Sequence, residues 1–294
     1  ATANNLESEI PILVGTPVPP LDDRSLPGNG VVRAGDSVRE VTRKQLLPTY
    51  DVFDEARYFE ADERPGIART IAGLDIGVTI CEDAWQHCGA TPNDYDSDPI
   101  AQIVEWGRQG VVLDATVNLS ASPYHANKSG IRVAVARSAA SSLNHPFLLA
   151  NQVGGNDDLL FDGRSVIAWP NGTAVIAPAW KEGILIADLS SPDGCVWIGD
   201  GELSILGSDE EIEDEEDDLL DAIIIGLSDY CRKSGISKIV LGLSGGIDSA
   251  LAACVASAAV GPANVTGISM PSRHSSQHSI DDARATAEVL GIEF

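Results

Sequence analysis

The chain has 294 residues, 44% of them hydrophobic and 21% charged, and carries a formal net charge of −25. That length accommodates two domains with a sizeable core, and no apolar run approaches the ~18 residues that a membrane-spanning helix needs. So acidic a surface repels nucleic acid and anionic membranes, which removes both from the expected partners.

Five cysteines, at 81, 88, 195, 231 and 254, form no CxxC pair. This scatter argues against a zinc site or a disulfide framework and fits a reducing, cytoplasmic setting. The opening ATANNLESEI lacks the basic and apolar regions of a signal peptide. Ten acids and no base fall between residues 209 and 221, yet the rest of the chain still carries −15. With only five lysines (44, 128, 181, 233 and 238), acidity belongs to the whole surface. Adaptation to high internal salt is one expectation; an ordinary acidic protein with a charged linker is the other.

From about residue 10 to 190, β-rich runs alternate with helical ones. Residues 10–18, 75–80, 111–118, 147–152, 165–169, 173–177 and 184–187 read as strands. Residues 100–109 and 128–143 read as helices, with apolar residues at three-to-four spacing. Asn171-Gly172 between two strands signals a hairpin, which also accounts for the Asn171-Gly172-Thr173 sequon. A linker spans 190–213, from Ser190-Ser191-Pro192-Asp193-Gly194 into the acid run, or 191–221 with the whole run included. The run feeds a helix over 219–231 that ends in Arg232-Lys233-Ser234-Gly235, and acids before it and bases at its end suit the helix dipole. A second block reads strand 238–243, helix 248–260, strand 265–270 and helix 279–291, with Ser279 and Asp282 as a capping box. Such an order implies a parallel sheet, and two strands with two helices cover its faces so poorly that the block reads as cut short.

The chemistry of the second block centres on Ser244-Gly245-Gly246-Ile247-Asp248-Ser249. A strand that ends in two glycines and opens a helix turns backbone N–H groups outward at the positive end of the helix dipole, which cradles phosphate. Ser244 and Ser249 add hydroxyls, and Asp248 is a candidate magnesium ligand. The lysine of G-x-x-x-x-G-K-[ST] is absent, so this is another kind of phosphate loop. Gly242 to Gly246 also fits G-x-S-x-G, the nucleophile elbow of serine hydrolases, but only His274 and His278 follow. A ligand-free βα turn is the bland reading. His274 and His278 are one turn apart if helical, and without a third ligand they read as surface residues.

In the first block, Cys81 leaves the strand 75–80 and precedes Glu82-Asp83-Ala84-Trp85. On the residue alone it reads as a small buried hydrophobe. As a nucleophile it needs a base and a cation, and the two neighbouring acids oppose its thiolate unless a lysine answers them. Lys44, in RKQLLPTYDVFDEARYF, is the candidate, with a solvent-facing lysine as the alternative.

Both blocks resemble known families. LGLSGGIDSALAACVA followed by ISMPSRHSSQHSIDDARATAEVLGI is similar to the start of the synthetase domain of glutamine-dependent NAD⁺ synthetases, within the pyrophosphatase-loop ATP enzymes, over roughly 222–294. K-x-x-L-P-x-Y-x-V-F-D-E-x-R-Y-F, ICEDAW, NLSASPY and NQVGGNDDLLFDG resemble, in order, the glutaminase domain of that family, a nitrilase-like carbon–nitrogen hydrolase, over roughly 10–190. The resemblance implies an α/β chain: a nitrilase-like αββα sandwich in 1–190, then the beginning of a Rossmann-like ATP-pyrophosphatase domain in 222–294. It implies that Cys81 attacks the glutamine side-chain amide to form a glutamyl thioester, and that Lys44 stabilises the thiolate and the tetrahedral oxyanion. Tyr50, Ser122 and Lys128 would bind glutamine. Gly242, Ser244, Gly245, Gly246, Asp248 and Ser249 would hold the pyrophosphate end of ATP, Asp248 the Mg²⁺, and Met270 would lie near the adenine.

The implied reaction hydrolyses glutamine to ammonia, adenylates deamido-NAD⁺ with ATP, and lets ammonia displace AMP. A homo-oligomer is expected. The sequence departs from the family in two respects: no F-P-E-L-like segment carries a general-base glutamate, a role that Glu7 and Glu9 do not fill, and Gly154-Gly155-Asn156-Asp157-Asp158 differs from the usual GGQDE. The dinucleotide site and the remaining magnesium ligands are expected beyond Phe294, so the chain reads as an internal fragment truncated at both ends and is expected to be inactive, or nearly so, in both half-reactions. A stand-alone amidase, a serine hydrolase built on Ser244 and a non-catalytic nucleotide-binding remnant are the alternatives.

Overall fold

A computed structural model describes residues 11–35, 37–71, 73–92, 94–212, 218–271 and 276–294. The chain separates into two compact units, Ala1–Gln152 with Gly163–Asp214, and Glu215–Phe294 with Val153–Asp162. In chain order the elements are β1 (Ile12–Val18), β2 (Gly28–Ala34), β3 (Arg39–Arg43), β4 (Gly66–Ile71), β5 (Leu74–Ile80), α1 (Pro99–Arg108), β6 (Ala115–Ser120), α2 (Lys128–Leu143) and β7 (Phe147–Asn151). Then follow β8 (Val153–Asn156), β9 (Leu159–Asp162), β10 (Val166–Ala168), β11 (Ala174–Ile176), β12 (Gly183–Ile186), β13 (Val196–Gly199) and β14 (Ser204–Leu206). The last are α3 (Asp218–Ser234), β15 (Ile239–Gly242), α4 (Ile247–Val260), β16 (Val265–Ile268) and α5 (Gln277–Leu290).

In the first unit, a seven-stranded sheet runs β14-β11-β10-β7-β6-β5-β4, and a three-stranded antiparallel sheet runs β1-β2-β3. Period-two alternation lets each large-sheet strand serve two layers. Val166 and Ala168 of β10 join Phe147 and Leu149 of β7 under Ile100 of α1 and Val133 of α2. Ile167 points the other way, onto Trp169 and Val175. On that second face Ile76, Val78 and Ile80 of β5 pack with Val31 of β2. One face of the large sheet therefore carries helices and the other carries a sheet, as the αββα expectation requires. Each such aliphatic side chain contributes roughly 1.5–3 kcal/mol on burial.

Local signals place the helices. Asp98 caps α1 by accepting from the Ala101 amide at 2.9 Å, with Pro99 at the first position. Helix α2 begins and ends where the periodicity sets it, and Asn144 closes it in the left-handed conformation. β10 and β11 make the expected hairpin, with Gly172 at φ +87° and the Asn171 carboxamide accepting from the Thr173 amide at 3.0 Å.

Strands β5, β6 and β7 are mutually parallel, so their carboxyl ends emerge side by side. Those ends deliver Cys81, Ser120-Ala121 and Asn151-Gln152 to one place, the rim where open α/β sheets bind ligands.

In the second unit β15 and β16 pair in parallel, Ile239 opposite Val265. Leu243, Ala253, Val265, Ala283 and Ile292 form its core. The β8–β9 hairpin also belongs here, because Asp229 of α3 accepts from the Gly155 amide at 2.8 Å and Lys233 donates to the Gly155 carbonyl.

The structure corrects several sequence expectations. Helix α5 starts earlier than residue 279, and its cap is Ser276, which accepts from the Ser279 amide at 3.1 Å; Ser279 with Asp282 is not the capping box. Strand β16 ends at Ile268, two residues before Met270. Within the stretch 191–221 read as linker, β13 pairs with β12 and β14 pairs with β11. Residue 10, the acids at 213–217 and His274 lie outside the described residues.

Candidate active site

Cys81 sits at the carboxyl end of β5 with φ +46°, a left-handed conformation that a non-glycine residue adopts at a cost of about 1–2 kcal/mol. The turn is fixed from two sides. Asn118 donates its amide to the Cys81 carbonyl at 3.2 Å and to the Thr79 hydroxyl at 3.0 Å. Buried Asp83 accepts from the Ile80 amide at 3.0 Å through one oxygen, and from Gln45 and Leu46 at 3.1 and 2.9 Å through the other. One carboxylate thereby ties the Cys81 turn to the segment that carries Lys44. Burial pushes the Asp83 carboxyl up to about 6 against those three amides and Lys44, which pull it down.

Lys44 is 1% exposed, and its ammonium lies 2.6 Å from a Glu55 carboxylate oxygen. Burial would push that ammonium down, but Cys81, Glu55 and Asp83 outweigh it and hold it above the ordinary lysine range. The other Glu55 oxygen accepts from Asn29 at 3.3 Å. Lys44, Glu55, Asn29, Cys81, Phe53, Phe59 and the ends of β6 and β7 line one cleft of about 550 Å³. That volume suits a small polar molecule.

The two acids beside Cys81 do not confront it freely. Asp83 is spent on backbone amides. Glu82 accepts from the Tyr50 hydroxyl at 2.6 Å and the Tyr95 hydroxyl at 3.3 Å, and burial together with Glu82 pushes both phenols up.

Of the expected glutamine-binding residues, Tyr50 thus meets the Cys81 turn through Glu82. Ser122 is buried, and its amide donates to the Asn151 carboxamide at 2.9 Å. The Lys128 ammonium donates to the Pro123 carbonyl at 2.7 Å and stands 5.4 Å over the Trp85 ring. None of the three is on the wall of the 550 Å³ cleft. Sequence reasoning missed Glu55, Asn118 and Asn151. Glu55 stands inside the quoted F-D-E-x-R-Y-F run, but it reaches Lys44 across an irregular loop that no periodicity describes.

In the second unit, Gly245 takes φ +82°, and a Cβ there would meet the Ser279 carbonyl oxygen at 2.1 Å. Gly246 is the N-cap of α4 without a side-chain cap bond. The Ser244 and Ser249 hydroxyls are 3.0 Å apart, and the Gly246 amide donates to Ser244 at 3.3 Å. Asp248 is exposed in the first turn of α4. Gly242, Ser244, Met270 and Ser279 line a cleft of about 220 Å³. His278 lies 3.9 Å from Asp282, on its own helix, and Ser244 bonds to Ser249 and Gly246, which does not support a serine-hydrolase elbow.

Comparison with known proteins bears on both units. The carbon-nitrogen hydrolase family model matches residues 12–197. The chain belongs to the carbon-nitrogen hydrolase family. The NAD synthase family model matches residues 219–294, downstream of this hydrolase domain. A glutamine-dependent NAD(+) synthetase of Synechocystis is 40% identical over 99% of this chain and 51% of its own length. One from Aquifex aeolicus is 37% identical over 90% and 48%. This carbon-nitrogen hydrolase chain therefore spans about half the length of the curated relatives it matches. Among solved structures, glutamine-dependent NAD⁺ synthetase from Acinetobacter baumannii in complex with ADP superposes with a TM-score of 0.76 at 29% identity, covering 98% of this chain and 50% of that one. Among the described residues no helix is long and apolar enough to cross a membrane.

Proposed function

We propose that this chain is part of an enzyme that carries out glutamine-dependent NAD⁺ synthesis as a cytoplasmic homo-oligomer, with a glutaminase domain in 1–190 and an ATP-binding domain in 222–294, and that the chain by itself is inactive. The observation that carries the reading is the left-handed Cys81 sharing one cleft with the buried Lys44 and its half-buried partner Glu55. The Cys81 thiol gives up its proton as its sulfur bonds to the side-chain carbonyl carbon of glutamine, the C–N bond breaks, and the departing nitrogen takes that proton and leaves as ammonia. Water then cleaves the thioester to glutamate. Lys44 opposes the negative charge of the thiolate and of the tetrahedral oxyanion. The resemblance gives Tyr50, Ser122 and Lys128 to the polar ends of glutamine, although none of the three is on the wall of the 550 Å³ cleft.

Ammonia then displaces AMP from adenylated deamido-NAD⁺. Gly242, Ser244, Gly245, Gly246, Asp248 and Ser249 hold the pyrophosphate end of ATP, and Met270 lies near the base. The helix-opening loop and its hydroxyls suit phosphate oxygens. Among the described residues no group of three or more His, Cys, Asp or Glu gathers, so the donors suit a Mg²⁺ held chiefly by phosphates and water with Asp248 as its carboxylate. When bound, that ion would neutralise phosphate charge. The full-length protein given glutamine labelled with ¹⁵N in its side-chain amide, ATP and deamido-NAD⁺ tests the reading. Label in the product amide supports it, and ammonia release that needs neither ATP nor dinucleotide and yields no NAD⁺ refutes it in favour of a simple amidase.

A further inference from the structure

Away from the cleft, three side chains from separate elements of the first unit meet at the surface. His87 Nδ1 lies 2.7 Å from Asp98 Oδ2, and His87 Nε2 lies 2.8 Å from Ser142 Oγ. Asp98 caps α1, where its Oδ1 accepts from Ala101, so its second oxygen is held towards the imidazole. Burial would raise the Asp98 carboxyl, but the bonds from His87 and the Ala101 amide outweigh it and hold it below the usual range. An ionised carboxylate only accepts, so the neutral imidazole carries its proton on Nδ1 and turns the Nε2 lone pair to the Ser142 hydroxyl. Ser142, in the last turn of α2, is exposed and open to reagents. Cys88 also feels the Asp98 charge, and its thiol donates to the Trp85 carbonyl at 3.5 Å.

Carboxylate, imidazole and hydroxyl thus stand in the order that activates a serine nucleophile. The helix end decides how far the activation goes. Ser142 sits where α2 presents carbonyls and not N–H groups, so an oxyanion formed there is left to water. General-base assistance remains, worth about 10²–10⁴-fold. We propose that Ser142 is a His87-activated acyl acceptor, a modification site for carboxylic thioesters that acylates without efficient turnover. Ser142 Oγ bonds to the thioester carbonyl carbon, its proton passes to His87 Nε2, the C–S bond breaks, and the departing thiolate takes that proton.

The test uses the full-length protein with Cys81→Ala to remove a competing thiol, treated with an acetyl thioester and separately with a fluorophosphonate. Adducts are mapped by peptide mass spectrometry. The proposal expects both reagents to modify Ser142 roughly 100-fold faster than other exposed serines, with loss of that advantage in His87→Gln. Modification spread evenly over the serines of the parent protein overturns it without any further variant. An unchanged Ser142 rate in a His87→Gln protein that keeps its parent melting temperature overturns it equally. Neither outcome depends on whether glutamine is the substrate at Cys81.

Discussion

Replacing Glu55 is the most searching perturbation of the cleft. Lys44 is 1% exposed, the Glu55 side chain 20%, and the two are 2.6 Å apart. Removing one member of such a pair strands a charge out of water, which costs about 3–5 kcal/mol. Glu55 keeps partial access to water, and Cys81 and Asp83 still face the ammonium, so Glu55→Ala belongs at the low end, about 3 kcal/mol. For a unit of this size that is a drop of roughly 6–12 °C in melting temperature. Losing Glu55 also removes one of the charges that hold the Lys44 ammonium up, so lysine loses its proton at lower pH than in the parent. The assay pairs thermal melts with the rate of Cys81 alkylation against pH. Lys44→Met with Glu55→Leu should recover most of the stability, as replaced buried pairs do, while remaining inert towards glutamine. A Glu55→Ala protein within ~0.5 kcal/mol of the parent, with the same alkylation profile, would refute the reasoning.

Three further outcomes follow from the geometry. Native Asp83 titrates near 6 against an ordinary 3.8, so between those values the folded state binds the proton more tightly; this carboxyl makes stability fall as pH rises from about 4 to about 6, and melts of Asp83→Asn over that range should lack the slope. Gly245→Ala forces a Cβ onto the Ser279 carbonyl at φ +82° and should cost roughly 2–5 kcal/mol, read by denaturant unfolding of the second unit together with weakened ATP binding. A net charge of −25 with five lysines should make the melting temperature climb between low and molar salt as carboxylate repulsion is screened; equal stability at both would leave the acidity without a salt role.

Much of this architecture is legible in the chain because local chemistry and packing agree. Helix α2 combines apolar periodicity with a left-handed Asn144 stop, and Asn171-Gly172 can hardly be anything but a turn. Strands β2 and β3 are hidden because GNGVVRA and REVTR carry glycines and charges that read as loop. They become strands only by pairing with β1 and with each other. β13 and β14 are four and three residues long, too short for any periodicity, and their partners lie elsewhere in the chain. The Ser276 cap was misplaced because serines at 276 and 279 have equal capping chemistry, and only backbone geometry separates them. Cys81 and Lys44 stand in recognisable motifs, and the fold brings both to one cleft. Glu55, and the meeting of His87, Asp98 and Ser142, depend on folded loops and helix ends that sequence spacing does not encode.

The central claim is that Cys81 is a nucleophile directed at the glutamine side chain and sustained by Lys44. The most direct test exposes the full-length protein to a diazoketone analogue of glutamine and maps the adduct by mass spectrometry, in the parent and in Lys44→Met. The account predicts stoichiometric modification of Cys81, with Cys88 and Cys254 spared although both are exposed, protection by glutamine, and a rate at least about 100-fold lower without Lys44. Modification spread over the exposed cysteines, or a Cys81 rate indifferent to both glutamine and Lys44, would contradict it.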